Sequence, residues 1–133
     1  MKQTDIDIQE GKYAIGVETL KQDIDEPSAM ANYLSKMAIV TRQDNFLTLS
    51  LLLQNQKTIT GFQVESQTGE WVEAIEKQVD DEMDRRFEMF ELAHLTSIIN
   101  VRVQYEVEHE GQSFEGDEAL RLFFDEESLE KLE

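Results

Sequence analysis

The stretch NVRVQYEVEHEGQSFEGDEALRLFFD, residues 100–125, decides how this chain folds. Val101, Val103, Tyr105 and Val107 fall on one parity, while Arg102, Gln104, Glu106 and Glu108 fall on the other. That alternation gives a strand one face for a core and one for water. HEGQ at 109–112 then supplies a glycine-bearing turn, and the return segment places Phe114, Leu120, Leu122 and Phe124 on even positions. A two-residue turn at Glu110 and Gly111 pairs Val107 with Phe114, Tyr105 with Gly116 and Val103 with Glu118, so the apolar faces coincide. The segment predicts an antiparallel hairpin.

Working outward, the same pattern recurs in KYAIGVETL (12–20), KMAIVTR (36–42), FLTLSLLL (46–53), TITGFQVES (58–66) and WVEAIE (71–76), with QDN and QTGE as turns between them. Seven or eight short strands at this spacing suggest a β-sandwich. Residues 71–92 carry a second pattern. Trp71, Ile75, Val79, Met83, Phe87 and Phe90 recur about every four residues among helix formers, so the residues alone also allow an amphipathic helix. The strand reading instead makes VDDEMD (79–84) a solvated acidic turn ahead of a strand RRFEMFEL (85–92).

The chain has 133 residues, 40% hydrophobic and 31% charged, which suits one domain with a real core. Its 29 acidic against 12 basic residues give a net charge of −17, which opposes phosphate backbones and disfavours nucleic acid as a partner. Without cysteine there is no disulfide, no thiol catalysis and no thiolate metal site. No apolar run is long enough to span a bilayer, and the acidic opening MKQTDIDIQEGK is not a signal peptide. The two ends read as those of an expressed fragment whose leader and anchor lie outside it.

Catalytic motifs are missing: the sequence holds no Gly-x-Ser-x-Gly elbow, phosphate-binding glycine loop or His-Glu-x-x-His. It reads as a binding module, not an enzyme. His94 and His109 stand singly in loop positions, and the acids at Asp80, Asp81, Glu82 and Asp84 lack the glycine-centred spacing of a calcium loop. No resident metal is expected.

EPSAMANYL, residues 26–34, belongs to neither strand beside it. Pro27 and Ser28 can start a short helical turn, and Met30 and Leu34 can plug the end of a sandwich.

Several segments together resemble the NEAT (near-iron-transporter) domain family, the haem- and haemoprotein-binding modules of Gram-positive cell surfaces. They are GKYAIGVETLKQDIDEPSAMANYL, TITGFQVES, GEWVEA, RRFEMFELAHLTSIINVRVQY and ALRLFFD, in that order over nearly the whole chain. The resemblance implies an all-β, immunoglobulin-like sandwich of about eight antiparallel strands with a short 3-10 helix after the first. It implies strands over 71–92, a domain over 11–126, a linker at 1–10 and a tail at 127–133. It also implies a location outside the cell, at the cell wall or surface.

In the family, the 3-10 turn is a lip over a groove formed with the last hairpin, and haem slides between them. S-A-M-A-N-Y matches that lip. Ser28 and the first backbone N–H groups can donate to a propionate, Met30 gives soft contact to a flat ring, and Tyr33 gives an aromatic face with a polar tip. Haem-binding members carry Tyr-x-x-x-Tyr on the last strand, the first bonding the iron. Counting back from RLFFD, those positions are Phe114 and Glu118, and phenylalanine has no oxygen to offer. An aromatic expected near TITGF is also missing, with Thr58 there instead.

Glu118 lies on the apolar face of its strand, where a lone carboxylate is costly unless bonded or near water, and the Tyr105 hydroxyl can satisfy it. The resemblance therefore gives a module that recognises a haemoprotein or a neighbouring surface domain, with haem bound weakly or not at all. The alternative is a haem relay using Ser28, Met30 and Tyr33 with an unusual ligand drawn from Tyr105 or Glu118.

Overall fold

The computed structural model describes residues 3–132. Its elements are β1 (Asp5–Ile6), β2 (Gly11–Lys21), a 3-10 turn (Ala29–Tyr33), β3 (Met37–Gln43), β4 (Phe46–Gln54), β5 (Ile59–Glu65), β6 (Trp71–Val72), β7 (Glu76–Asp80), β8 (Arg85–Leu92), β9 (Leu95–Thr96), β10 (Ile98–His109) and β11 (Gln112–Lys131). The fold is all-β and every strand pairing is antiparallel.

Hydrogen bonding runs in the order β6-β5-β10-β11-β2-β3-β4-β8-β7, with β1 and β9 paired separately. β2 joins the two layers. Its Gly11–Gly16 half pairs with β3, and its Gly16–Lys21 half pairs with the Leu120–Asp125 stretch of β11. Strands near opposite ends of that order come face to face, because Phe62 of β5 and Phe90 of β8 place their rings 5.8 Å apart. This contact closes the sandwich.

Alternation dictates which side chains fill it. Leu47, Leu49, Leu51 and Leu53 of β4 are buried, as are Ile15 and Val17 of β2, Val101 and Val103 of β10, and Leu120, Leu122 and Phe124 of β11. The β10–β11 hairpin forms in the register read from the sequence, with Val107 opposite Phe114, Tyr105 opposite Gly116 and Val103 opposite Glu118. Glu110 and Gly111 both take positive φ, 53° and 78°, as a two-residue hairpin turn of this twist demands.

Residues 71–92 are strands. The helical stripe was never a core stripe: Trp71, Ile75, Val79, Met83 and Phe87 all face solvent, and only Phe90 is buried. Their spacing comes from a chain that leaves the β5 edge after Val72 and joins the β8 edge at Glu76. The expected single strand at 71–76 is thus split in two. The expected linker and tail also take part in packing, since Ile6 and Ile8 are buried with the core and β11 continues until Lys131 faces Tyr13.

Candidate functional site

The lip is built by its own hydrogen bonds. Ser28 is extended, and its Oγ accepts from the Met30 N–H at 3.0 Å while its carbonyl accepts from Ala31 N–H at 3.0 Å. Its own N–H donates to the Thr19 carbonyl of β2 at 3.0 Å. At the other end the Ser35 N–H donates to the Leu52 carbonyl, and Leu34 bridges to Leu53. The turn is therefore stitched to β2 on entry and to β4 on exit. Met30, which the sequence reading places against a flat ligand, points into the core and is 5% exposed. Tyr33 is half-buried and packs against that core.

Removing the Ser28 hydroxyl orphans the Met30 N–H at a helical start. Ser28→Ala is expected to cost about 1 kcal/mol, the usual loss for an N-cap. Chemical denaturation should show this as a lower midpoint at unchanged slope.

The β10–β11 hairpin runs on beyond its pairings with β5 and β2 as a two-stranded ribbon. Its inner face shifts from fully buried at Val103 to half-buried at Tyr105, Val107 and Glu118, and ends at Phe114, which is 49% exposed. The Tyr105 hydroxyl donates to Glu118 Oε1 at 3.1 Å, the bond that makes an inward carboxylate tolerable.

Gly116 is the seat of the Tyr105 ring. A Cβ at that position would overlap the Cζ, Oη and Cε1 atoms of Tyr105, so only glycine lets the ring lie across the opposite strand. Gly116→Ala is expected to swing the ring away, break the bond to Glu118 and cost about 1–3 kcal/mol, the range for overpacking. Near-ultraviolet circular dichroism reports the loss of the fixed tyrosine.

The Tyr105 hydroxyl is held above the ordinary phenol range, first by its hydrogen bond to Glu118, then by burial, then by the Glu118 charge, with a smaller push from Tyr33. The structure brings Tyr105 and Glu118 together through that hydrogen bond, while Ser28, Met30 and Tyr33 lie on the 3-10 turn and its cap and Phe114 lies exposed at the far end of the ribbon. The chemistry follows from the partner's type. A phenol whose partner is a carboxylate stays neutral, because ionising it would set two anions side by side.

The histidines lie elsewhere. His94 sits beside Asp5, 3.4 Å away, and Gln67, in the wall of an open cavity of about 1010 Å³ between the β5–β6 turn and the β8–β9 loop. His109 is exposed at the hairpin tip near Glu110. Asp81–Asp84 form the solvated turn between β7 and β8. Among the described residues no group of three or more metal-ligating side chains converges, and no helix is long and apolar enough to cross a membrane.

Sequence reasoning missed two groups that hold this region. Arg86 and the fully buried Glu88 form an ion pair inside the sandwich, and Arg121 ties the turn after β2 to β11. Strand parity signalled the first, since Glu88 alternates with Phe90. The second has no sequence signal, because its partners are mainly backbone carbonyls.

The model of the NEAT, iron transport-associated, domain matches residues 7–126. The chain belongs to the NEAT family. Hemin/hemoglobin-binding protein 1 of Listeria monocytogenes is 26% identical over 125 residues, covering 94% of this chain. The match spans 58% of that protein's own length. Among solved structures, the NEAT5 domain of IsdX2, a B. anthracis hemophore in complex with heme, superposes with a TM-score of 0.75 at 24% identity, covering 88% of this chain and 97% of that one. A mutant of the same domain, also with heme, gives a TM-score of 0.75 at 24% identity over 89% and 97%. These neighbours share the immunoglobulin-like sandwich.

Proposed function

We propose that this NEAT domain is a recognition module of a haem-acquisition system, working outside the cell, whose lip and ribbon engage a haemoprotein or a neighbouring surface domain and ligate haem iron weakly or not at all. The observation that carries the reading is the pairing on the ribbon. By the resemblance, Phe114 falls where the family places an iron-bonding tyrosine and Glu118 where it places the supporting one, and the Glu118 carboxylate accepts from Tyr105.

Haem fits the walls of this slot better than its iron would fit the groups within reach. Val107, Phe114 and Tyr33 offer flat apolar surface, and the Ser28 hydroxyl hydrogen is free of the lip's own bond, in which the oxygen is the acceptor. Iron meets a benzyl ring at 114. Tyr105 is no substitute, because its carboxylate partner favours the protonated phenol, whereas a ligand phenolate needs a donor beside it. A bound haem would supply a planar ring and two propionates, and the net charge of −17 repels the latter.

That charge favours a protein partner with a basic rim, steered in at low salt. Binding of the domain to immobilised haemoglobin is expected to be saturable and to weaken as salt rises. Tyr33→Ser should weaken it by about tenfold, the effect of losing an aromatic anchor worth 1–2 kcal/mol. Absence of saturable binding to any haemoprotein or surface domain tested, with a stoichiometric haem complex instead, would favour the relay reading.

A further inference from the structure

The turn that leads from β2 into the lip, residues 22–27, carries Asp23, Asp25 and Glu26 and an exposed Ile24. A chain segment of this kind has little apolar surface to hold it down, and its position needs another cause. One guanidinium contributes three of the bonds that hold it. Arg121 Nε donates to the Lys21 carbonyl at 2.9 Å, and its Nη2 donates both to the Ile24 carbonyl and to Asp25 Oδ1 at 2.8 Å. The Arg121 side chain is 15% exposed, while Asp25 lies at the surface, 45% exposed.

Arg121 belongs to β11, the strand that carries Phe114 and Glu118. It lies opposite Leu20, and Leu20 in turn bridges to Pro27, directly before Ser28. Lys21 N–H donates to the Glu26 carbonyl and Ser28 N–H to the Thr19 carbonyl, which closes the turn back along β2. Backbone bonds thus hold the turn to β2, and Arg121 adds a direct side-chain link from the turn to β11.

We infer that Arg121 is a positioning residue for the site: it fixes the lip at a set height over the ribbon by clamping the acidic turn that precedes it. The fork geometry matters, because lysine has charge for Asp25 but no planar pair of donors for two carbonyls and a carboxylate at once. The inference rests on the functional reading above, in that the lip and ribbon are taken as the two jaws of one site.

Hydrogen exchange on Arg121→Gln, Arg121→Lys and the wild type tests it, with haemoglobin binding measured on the same samples. With the charge-assisted bonds of Arg121 lost, amides of Glu26, Ser28, Met30 and Ala31 are expected to exchange at least about tenfold faster in Arg121→Gln. Arg121→Lys should fall between the two. Amides of β4 and β8 should keep their wild-type rates, and the loss of haemoglobin affinity should follow the lip amides rather than the core. Unchanged lip exchange in Arg121→Gln overturns the clamp, and so does equal acceleration across β4 and β8, which would mark a global fault. Loosened lip amides with haemoglobin binding absent in every sample, wild type included, would uphold the clamp and remove the functional reading instead.

Discussion

Arg86→Leu is expected to lower the unfolding free energy by about 3–5 kcal/mol, the usual consequence of removing one partner from a buried ion pair. Glu88 is fully buried, and Arg86 Nε donates to its Oε2 at 2.7 Å. The same guanidinium donates to the Gln56 side chain at 2.8 Å, to the Gln56 carbonyl at 3.3 Å and to the Ile59 carbonyl at 3.2 Å. Leucine at 86 strips the carboxylate of its counter-charge and removes the guanidinium's bonds to Gln56 and Ile59, although the Gln56 carbonyl still accepts from the Ile59 N–H. Glu88 Oε1 already has no hydrogen-bond partner among the described residues, so nothing else stands ready to compensate. A fall of about 10–20 °C in Tm follows from the usual scaling for a domain of this size. Arg86→Leu with Glu88→Leu should recover most of the loss, because apolar replacement of both partners is often neutral.

This prediction carries a pH signature. Burial pushes the Glu88 carboxyl above its ordinary range, against the opposing pull of Arg86 and Lys77. A raised folded-state pKa means that the folded protein holds this proton more tightly than the unfolded chain does. The Glu88 contribution to stability is therefore greatest below the unfolded carboxyl range and is lost as pH rises through the folded value. Removing Arg86 raises the folded value further. The deficit of Arg86→Leu should be largest in neutral buffer and shrink in mildly acid buffer, which urea denaturation at the two pH values measures directly.

Phe114→Tyr is the second large effect. Position 114 is 49% exposed at the open end of the ribbon, so an added hydroxyl meets water rather than core and should leave stability within about 0.5 kcal/mol of wild type. What changes is the chemistry facing a bound haem. A phenol at 114 can give iron an anionic oxygen, and since outer-shell partners alone shift metal affinity by 10–100-fold, a direct ligand should raise ferric haem affinity by about 100-fold or more. The gain should stay below what the slot allows, because Glu118 is an acceptor and offers a new phenolate no donor. Adding Glu118→Gln, whose amide can donate, should raise it further. Competition for haem against an apoprotein of known affinity measures both steps.

Much of the frame was legible in the residues. Strict alternation across 100–125 fixes the hairpin register, because a slip of one residue would put Val103 and Leu120 in water. The lip was visible as a serine after a proline ahead of apolar residues, although the burial of Met30 with the core was not. The stretch from Trp71 to Phe90 misled for a physical reason. Trp71, Ile75, Val79 and Met83 lie on the edge strands β6 and β7 or in the connections beside them, Phe87 is on the outward face of β8, and these five exposed residues happened to fall at a helical spacing. The Tyr105 bond to Glu118 followed from register alone, but its steric condition at Gly116 did not, since a ring lying over a glycine leaves no trace beyond the glycine itself. Arg121 was hidden because its guanidinium bonds carbonyls brought near by the fold rather than by sequence, whereas Glu88, on the parity of Phe90, left a trace that pointed to a buried partner.

Titrating the purified domain with ferric haem and recording the Soret region tests the central claim most directly. On the proposed reading, with Phe114 offering iron no oxygen, the titration should give a broad shoulder that keeps growing with added haem and never saturates. A sharp band that saturates at one haem per chain would contradict it, and would make this domain a haem carrier with an iron ligand of its own.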